Sequence, residues 1–349
     1  VTGPNIIKRV DAEFAVKLRE KNIEIIYYTP DGIFGQTKHE LRNIKAPSIF
    51  PLRLIKYFKL LLKENPDHVE MYIDFPTRNL VFYALFARLL GKKLIIWCRG
   101  GEILYWETRH TIYRRTVIRI CFALAGYFFV KESYMRSKML YYKLAKNKQI
   151  IWLPNKIPVF SGCEYAKAEP VVLFLNSPKT WRHIEIVAEA IPHVINKIPE
   201  AKFYFVGARN QEELNYINNV IEMYFPLGDS VQNVLFSADA RLYYEKASIF
   251  VLPAELIYAN HSLLEAMERG VPPIIANIDQ KGKDIITHGE NGLVLPLDWK
   301  QWSEAIINLL SNEELRTYLG KNARMKIMTN FNIQDKIDDL VSFYNENIW

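Results

Sequence analysis

Cysteine is scarce. Cys98, Cys121 and Cys163 are the three in 349 residues and stand far apart, which excludes a disulfide frame and a cysteine-built metal site and fits a reduced cytoplasm. Long apolar runs are also lacking. The longest uncharged stretch, 120–130, is too short to span a bilayer, and the first residues show no signal-peptide pattern. No internal repeat or low-complexity segment breaks the chain. No Asp-x-Asp stands at a strand end, since Asp239 reads as a loop residue capping a helix. His110, His183, His261 and His288 lack the spacing of metal ligands. No metal and no cofactor are therefore expected.

What remains is an ordinary globular composition, 50% hydrophobic and 24% charged, in a chain long enough for two α/β domains with separate cores. Its charge is unevenly placed. Residues 1–160 hold 28 Lys+Arg against 13 Asp+Glu, while residues 161–349 hold 17 against 25. A basic front half expects an anionic partner. The basic residues concentrate on two amphipathic segments, 52–64 with Arg53, Lys56, Lys59 and Lys63, and 109–122 with Arg114, Arg115 and Arg119. Either an anionic membrane surface or a solvated helix face accounts for each segment singly. Nucleic acid is not expected, because aromatics are not interleaved with the basic residues on a known motif.

Periodicity predicts alternating strands and helices, hence parallel sheets. In the front half, strands are expected at 23–29, 69–73, 93–98, 127–130 and 150–153. Helices are expected at 6–20, 52–64, 78–90, 109–122 and 134–145, with 30–50 a long loop. A linker is expected at 161–170. Beyond it, strands are expected at 171–175, 203–206 and 249–252, and helices at 184–191, 211–224, 299–310, 313–328 and 333–347.

The stretch 249–270 is the most informative. Ile249 to Leu252 reads as a buried strand stopped by Pro253, and His261 to Arg269 as a helix capped by Asn260 or Ser262. A helix beginning just past a strand's C-terminal end presents N–H groups to an anion. Glu265, about one turn in, stands where a carboxylate can accept from sugar hydroxyls. An ordinary strand–loop–helix unit with a solvated glutamate is the other reading.

Several pieces follow in order: Asn233-Val234-Leu235-Phe236, Tyr244-Glu245-Lys246-Ala247-Ser248, Leu252-Pro253, Leu263-Leu264-Glu265-Ala266-Met267, Gly270-Val271-Pro272 and Asn291-Gly292-Leu293-Val294. Together they resemble the donor-binding core of the GT-B glycosyltransferases, in the retaining, GT4-like group related to glycogen synthase and sucrose synthase. The resemblance implies a GT-B fold, with two Rossmann-like domains whose parallel sheets face a central cleft. Residues 1–160 would form the acceptor-side domain and 161–332 the nucleotide-sugar domain, with helix 333–349 returning to the first. It implies a retaining, metal-independent transfer from a nucleotide-diphosphate sugar to a glycan or lipid-linked acceptor. It also implies a cytoplasmic protein, peripheral at the inner face of the membrane.

Residue by residue, Glu265 carries over as the ribose carboxylate. Asn260, His261, Ser262 and Leu263 carry over as the helix start facing the diphosphate, and Gly3, Gly207 and Phe236 as further donor-site positions. The family places an Arg and then a Lys after the second domain's first strand. Here Ser177 falls on the Arg position and Arg182 on the Lys position, and Lys179 can supply the missing charge. A solvated basic loop is the alternative for this run. Arg99 heads Arg99-Gly100-Gly101-Glu102, where the family has a His-Gly loop; it faces the donor or an anionic acceptor, or belongs to a tight turn. The family's first motif Glu, eight residues before Glu265, is here Ile257, and Glu255 comes two residues too early. That departure supports a second reading, a GT-B protein without catalysis that binds nucleotide-sugar or glycan as a partner subunit.

Overall fold

The computed structural model describes residues 17–29, 42–47, 49–73, 78–98, 112–160, 169–235, 240–257, 259–278 and 281–349. The chain divides into two compact units, one of residues 8–154 with 334–349 and the other of 1–7 with 155–333. Each is α/β with parallel sheets.

In the unit of 8–154 and 334–349, strands β1 (Ile26–Thr29) and β2 (Arg42–Lys45) pair in parallel. The segment 30–50, expected as loop throughout, thus contains a short strand. Its polar sequence, Arg-Asn-Ile-Lys, hides it, because edge pairing needs only backbone groups. Next come helix α1 (Phe50–Glu64), strand β3 (His68–Ile73), helix α2 (Arg78–Leu89) and strand β4 (Lys93–Cys98). Helix α3 (Ile112–Leu124), strand β5 (Tyr127–Val130), helix α4 (Ser133–Tyr141) and strand β6 (Ile150–Trp152) follow. The sheet order is β3-β4-β5-β6, all parallel. Helix α4 stops short of the expected Ala145, and Lys143 just beyond it turns left-handed at φ 54°.

The other unit runs β7 (Val171–Leu175), α5 (Ile184–Lys197), β8 (Lys202–Ala208), α6 (Gln211–Glu222), β9 (Val231–Leu235), α7 (Arg241–Lys246) and β10 (Ile249–Leu252). Then come α8 (His261–Glu268), β11 (Pro273–Ala276), β12 (Leu293–Leu295), α9 (Trp299–Ser311) and α10 (Glu313–Asn330), and finally α11 (Ile333–Asn347), most of which belongs to the first unit. Its six-stranded sheet has the order β12-β11-β10-β7-β8-β9. All four residues of β10 and all five of β7 are buried, the near-continuous apolar strand of a sheet covered on both faces. Helix α5 continues past the expected end at Ile191 straight through Pro192. A proline inside a helix costs about 3 kcal/mol. Burying Val194 and Ile198 beyond it returns roughly 1.5–3 kcal/mol each, so the helix persists.

Helix α11 completes the core of the first unit. Ile337, Leu340, Phe343 and Tyr344 pack with Ile95, Trp97, Phe129 and Leu153. Phe343 meets Tyr127 and Phe129 edge-on, each with ring centroids 5.0 Å apart. Glu70 on β3 accepts from Trp97 Nε1 at 2.7 Å and from the Tyr344 hydroxyl, and its other near neighbour is His68 Nε2 at 3.1 Å. Burial alone would raise the Glu70 pKa, but the bond and charge of His68, with the Tyr344 and Trp97 hydroxyl and indole donors, hold it below the usual carboxylate range.

The segment 155–160 groups with the second unit. Ile157 exchanges backbone hydrogen bonds with Phe331 and Ile333 at 2.9 Å each. Phe160 N–H donates to Glu268 Oε1 at 3.2 Å, and Arg324 donates to Phe160 O at 2.6 Å and to Glu268 O at 2.7 Å. Glu268 and Arg324 are both buried and lie 3.4 Å apart.

Candidate active site

In the six-stranded sheet the chain leaves β7 toward β8 on one side and β10 toward β11 on the other. The C-terminal ends of β7 and β10 therefore flank a topological switch point, where open α/β sheets form a crevice. The loop after β7 and the loop after β10 are tied together across it. Glu255 N–H donates to Trp181 O at 2.9 Å, and Glu255 Oε1 lies 2.9 Å from His183 Nε2. The other ring nitrogen of His183 is 2.8 Å from Glu185 Oε1. Burial would lower the His183 pKa, but bonds to Glu255 and Glu185 raise it on balance. The imidazolium thus persists to higher pH than a free histidine, and the tie loosens as pH rises through that raised value. Sequence reading missed this bridge because it joins residues that are close only once β7 and β10 are neighbours.

Beyond Glu255 the chain reaches Ala259, held left-handed at φ 48°, with its carbonyl accepting from Asn155 Nδ2 at 2.9 Å. Asn260 then caps α8: its Oδ1 accepts from Leu263 N–H at 3.3 Å and its carbonyl from Leu264 N–H at 3.0 Å. Of the two caps considered, Asn260 fills the position and Ser262 lies buried inside the helix. The N–H groups of His261 and Ser262 fall in the first turn, before intrahelical bonding begins. Glu265 is half-buried on the same helix, and its Oε2 accepts from the Tyr244 hydroxyl at 2.9 Å. Tyr244 is 1% exposed. Burial, then the Glu265 charge, keep its pKa well above the ordinary phenol value, so it remains a neutral donor that orients the carboxylate. A carboxylate has about four lone-pair sites, of which the Tyr244 bond uses one. Tyr244 was visible in the sequence only as a piece of the Tyr-x-x-Ala-Ser run.

Ile257, at the position of the family's first glutamate, is 1% exposed. Gly282 packs so closely over it that a Cβ there would come 3.1 Å from Ile257 Cγ1 and 2.8 Å from Ile275 Cδ1. The position is apolar core.

After β7, Lys179, Thr180, Trp181 and Arg182 make a tight turn. Arg182 is 7% exposed. Its Nη1 donates to the Ser177 carbonyl and, at 2.8 Å, to Ser177 Oγ. Burial first, then the nearby charge of Arg209, pull its pKa down to about 10 against the opposing effect of Glu213. Lys179 Nζ lies 3.1 Å from Glu213 Oε1. Glu213, on α6, also grips Arg209 of the loop after β8, with Arg209 Nε 3.0 and 3.1 Å from its two oxygens. The side-chain bond from Arg209 lowers the Glu213 pKa most, and the carboxyl lies at about 2. Gly207, at the end of β8, has φ 123°, and a Cβ there would stand 2.7 Å from the backbone of Asn176. That glycine is required by the close approach of the two strand ends.

Of the residues singled out from the sequence, Asn260, His261, Ser262, Leu263 and Glu265 share one helix start, while Lys179, Arg182 and Gly207 gather at the ends of β7 and β8. Gly3, Arg99 and Phe236 lie outside the described residues. Arg209 and Glu213 were not anticipated.

Residues 164–326 match the family described as glycosyl transferases group 1. Spore coat protein SA of Bacillus subtilis (strain 168) is 30% identical over 189 residues, 51% of this chain and 49% of that protein. The UDP-Gal:alpha-D-GlcNAc-diphosphoundecaprenol alpha-1,3-galactosyltransferase of Escherichia coli is 28% identical over 168 residues, 45% of this chain and 40% of that one. The chain thus spans half or less of the length of these two relatives. HepE of Anabaena, solved in complex with UDP-glucose, superposes with a TM-score of 0.78 over 99% of this chain and 96% of that one at 14% identity, a likeness of fold.

Proposed function

We propose that this chain, a GT-B protein whose residues 164–326 belong to the glycosyl transferases group 1 family, moves a sugar from a nucleotide-diphosphate donor to a glycan or lipid-linked acceptor, with retention and without a metal. The observation that carries this reading is the bond from Tyr244 on α7 to Glu265 on α8, the helix that opens at the switch point. Glu265 holds the ribose diol. The N–H groups of His261 and Ser262, with Lys179 and Arg182, hold the diphosphate. Negative charge grows on the departing phosphate, and fixed cations in a partly dry loop stabilise it more than water does. The leaving phosphate takes the acceptor's proton. HepE was solved with UDP-glucose and the E. coli relative is named for UDP-Gal, which makes UDP-hexoses the first donors to try.

The test is Glu265→Ala. Loss of a charge-assisted hydrogen bond should weaken binding of the nucleoside diphosphate by about 1–3 kcal/mol, read by calorimetry. Unchanged affinity would sink the ribose assignment. Turnover that survives chelation of divalent metals by EDTA is expected on the same reading.

An anionic membrane surface is the proposed partner of the unit holding α1 and α3. Lys56, Lys59 and Lys63 are exposed on α1 beside Leu52, Ile55 and Leu62. Ile112, 85% exposed, and Tyr113 accompany Arg119 on α3. Arg53 does not join this face, because its Nε donates to Pro47 O at 2.7 Å. Among the described residues no helix is long and apolar enough to cross a membrane. Each basic residue near an anionic bilayer contributes roughly 1 kcal/mol at low salt, so the protein should sediment with anionic vesicles, not neutral ones, and salt should release it. Charge reversal at Lys56, Lys59 and Lys63 should abolish sedimentation and spare nucleotide affinity. Wild-type protein that ignores anionic vesicles would leave a soluble acceptor as the better candidate.

A further inference from the structure

We propose that Arg209 is a further residue of the diphosphate site and that Glu213 is the residue that positions it. The inference rests on the donor-site reading above and adds two side chains that the family resemblance does not supply.

The resemblance asks for an arginine where this chain has Ser177. A guanidinium nevertheless reaches the same place from the neighbouring strand. β7 and β8 pair in parallel with Leu175 opposite Val206, and Asn176 N–H donates to Val206 O at 2.8 Å. Gly207 packs on the backbone of Asn176. Arg209, two residues on, therefore stands beside the start of the Ser177–Arg182 turn, close enough for its charge to help lower the Arg182 pKa.

The group is short of negative charge. Lys179, Arg182 and Arg209 face the carboxylate of Glu213, while the nearby carboxylates of Glu185 and Glu255 are engaged by His183. Arg182 is buried, the Lys179 and Arg209 side chains are each 28% exposed, and that of Glu213 is 13% exposed. Among the described residues the Arg182 guanidinium has only Ser177 as hydrogen-bond partner. Nearby, the amide Nδ2 of Asn176 is a buried donor with no partner among the described residues. Cations in excess, with an idle donor at the same strand end, match an oxyanion.

Geometry assigns the roles. Glu213 accepts from the Arg209 backbone N–H at 3.0 Å, from Nε and Nη2 of its guanidinium, and from Lys179 Nζ. One edge of the guanidinium is thereby fixed, and Nη1 has no bond among the described residues. Glu213 is itself locked, since its N–H donates to Asn210 Oδ1, the cap of α6, at 2.9 Å. A clamped edge and an open nitrogen suit a guanidinium that must be in place before phosphate charge develops. This i,i+4 pair differs from one within a helix in that Arg209 precedes α6 and Lys179 joins from another loop.

The experiment compares wild type with Arg209→Ala, Arg209→Lys and Glu213→Gln. Calorimetry measures UDP, GDP, ADP, uridine and inorganic pyrophosphate, and UDP-glucose hydrolysis is followed in parallel. Arg209→Ala should weaken the bound nucleoside diphosphate and pyrophosphate at least tenfold, leave the nucleoside unchanged, and lower kcat more than KM changes. Arg209→Lys should recover part of the affinity. Glu213→Gln removes a negative charge, so pyrophosphate affinity should hold or rise while kcat falls several-fold, a split that loss of fold would not produce. Thermal melting within a few degrees of wild type checks that each variant is folded. Wild-type diphosphate affinity and hydrolysis in Arg209→Ala would overturn the Arg209 assignment, and unchanged kcat in Glu213→Gln would overturn the positioning role. If wild type binds none of the three nucleoside diphosphates, the donor-site reading falls and takes this inference with it. If it binds one and Arg209→Ala binds it equally well, this inference alone falls.

Discussion

Replacing Lys179 and Arg182 together with alanine is expected to slow donor turnover by roughly a hundred- to a thousandfold, the cost of removing preorganised charge stabilisation from a transition state. Nucleoside affinity should move far less, because the ribose carboxylate of Glu265 and its Tyr244 donor are left intact by both substitutions. The split matters more than the size. A cation that merely binds ground-state diphosphate raises KM, while one that answers charge developing on the leaving group lowers kcat. Arg182 is buried and fastens Ser177, so each single variant should be melted beside the double. A double variant with wild-type kinetics and a wild-type melting curve would reduce this turn to a surface loop.

The second large effect concerns stability. Glu268→Ala should destabilise the unit of residues 155–333 by about 3–5 kcal/mol, the scale of breaking one partner out of a buried ion pair. Arg324→Ala should cost less. Glu268 would keep Arg269, whose Nε lies 3.2 Å from its Oε2, whereas removing the Glu268 carboxylate leaves the charge of the 7%-exposed Arg324 facing the backbone carbonyls of Phe160 and residue 268. Replacing both with apolar residues of similar volume should recover most of the loss. Urea unfolding of the three variants checks the order. Equal midpoints for Glu268→Ala and wild type would show that the pair contributes nothing.

Local patterning made strands β3 to β8 and β10 and most helices legible. β7, β10 and α8 were readable because apolar runs, a proline stop and an asparagine cap act over neighbouring residues. β2 was not, since its pairing with β1 leaves no mark on its side chains. Pro192 misled because burial of residues after it outweighs a local break. In the site, Glu265 stood out by its context, but Tyr244 as its donor did not, nor did Ile257 as core beneath Gly282. Arg209, Glu213 and the His183–Glu255 bridge were invisible for one reason: each depends on which strands become neighbours, and the β12-β11-β10-β7-β8-β9 order is not written in any single segment.

Helix α11 has a consequence for how the protein is made. The core of the first unit needs Ile337, Leu340, Phe343 and Tyr344 against Ile95, Trp97 and Phe129, yet residues 155–333 are synthesised in between. At typical translation rates that interval lasts roughly ten to forty seconds. Throughout it, the β3-β4-β5-β6 sheet emerges from the ribosome with one apolar face uncovered, while residues 155–333 can close around their own core. The unit translated first is therefore the one that finishes last, and the nascent chain offers holding chaperones a defined apolar face centred on Trp97 and Phe129.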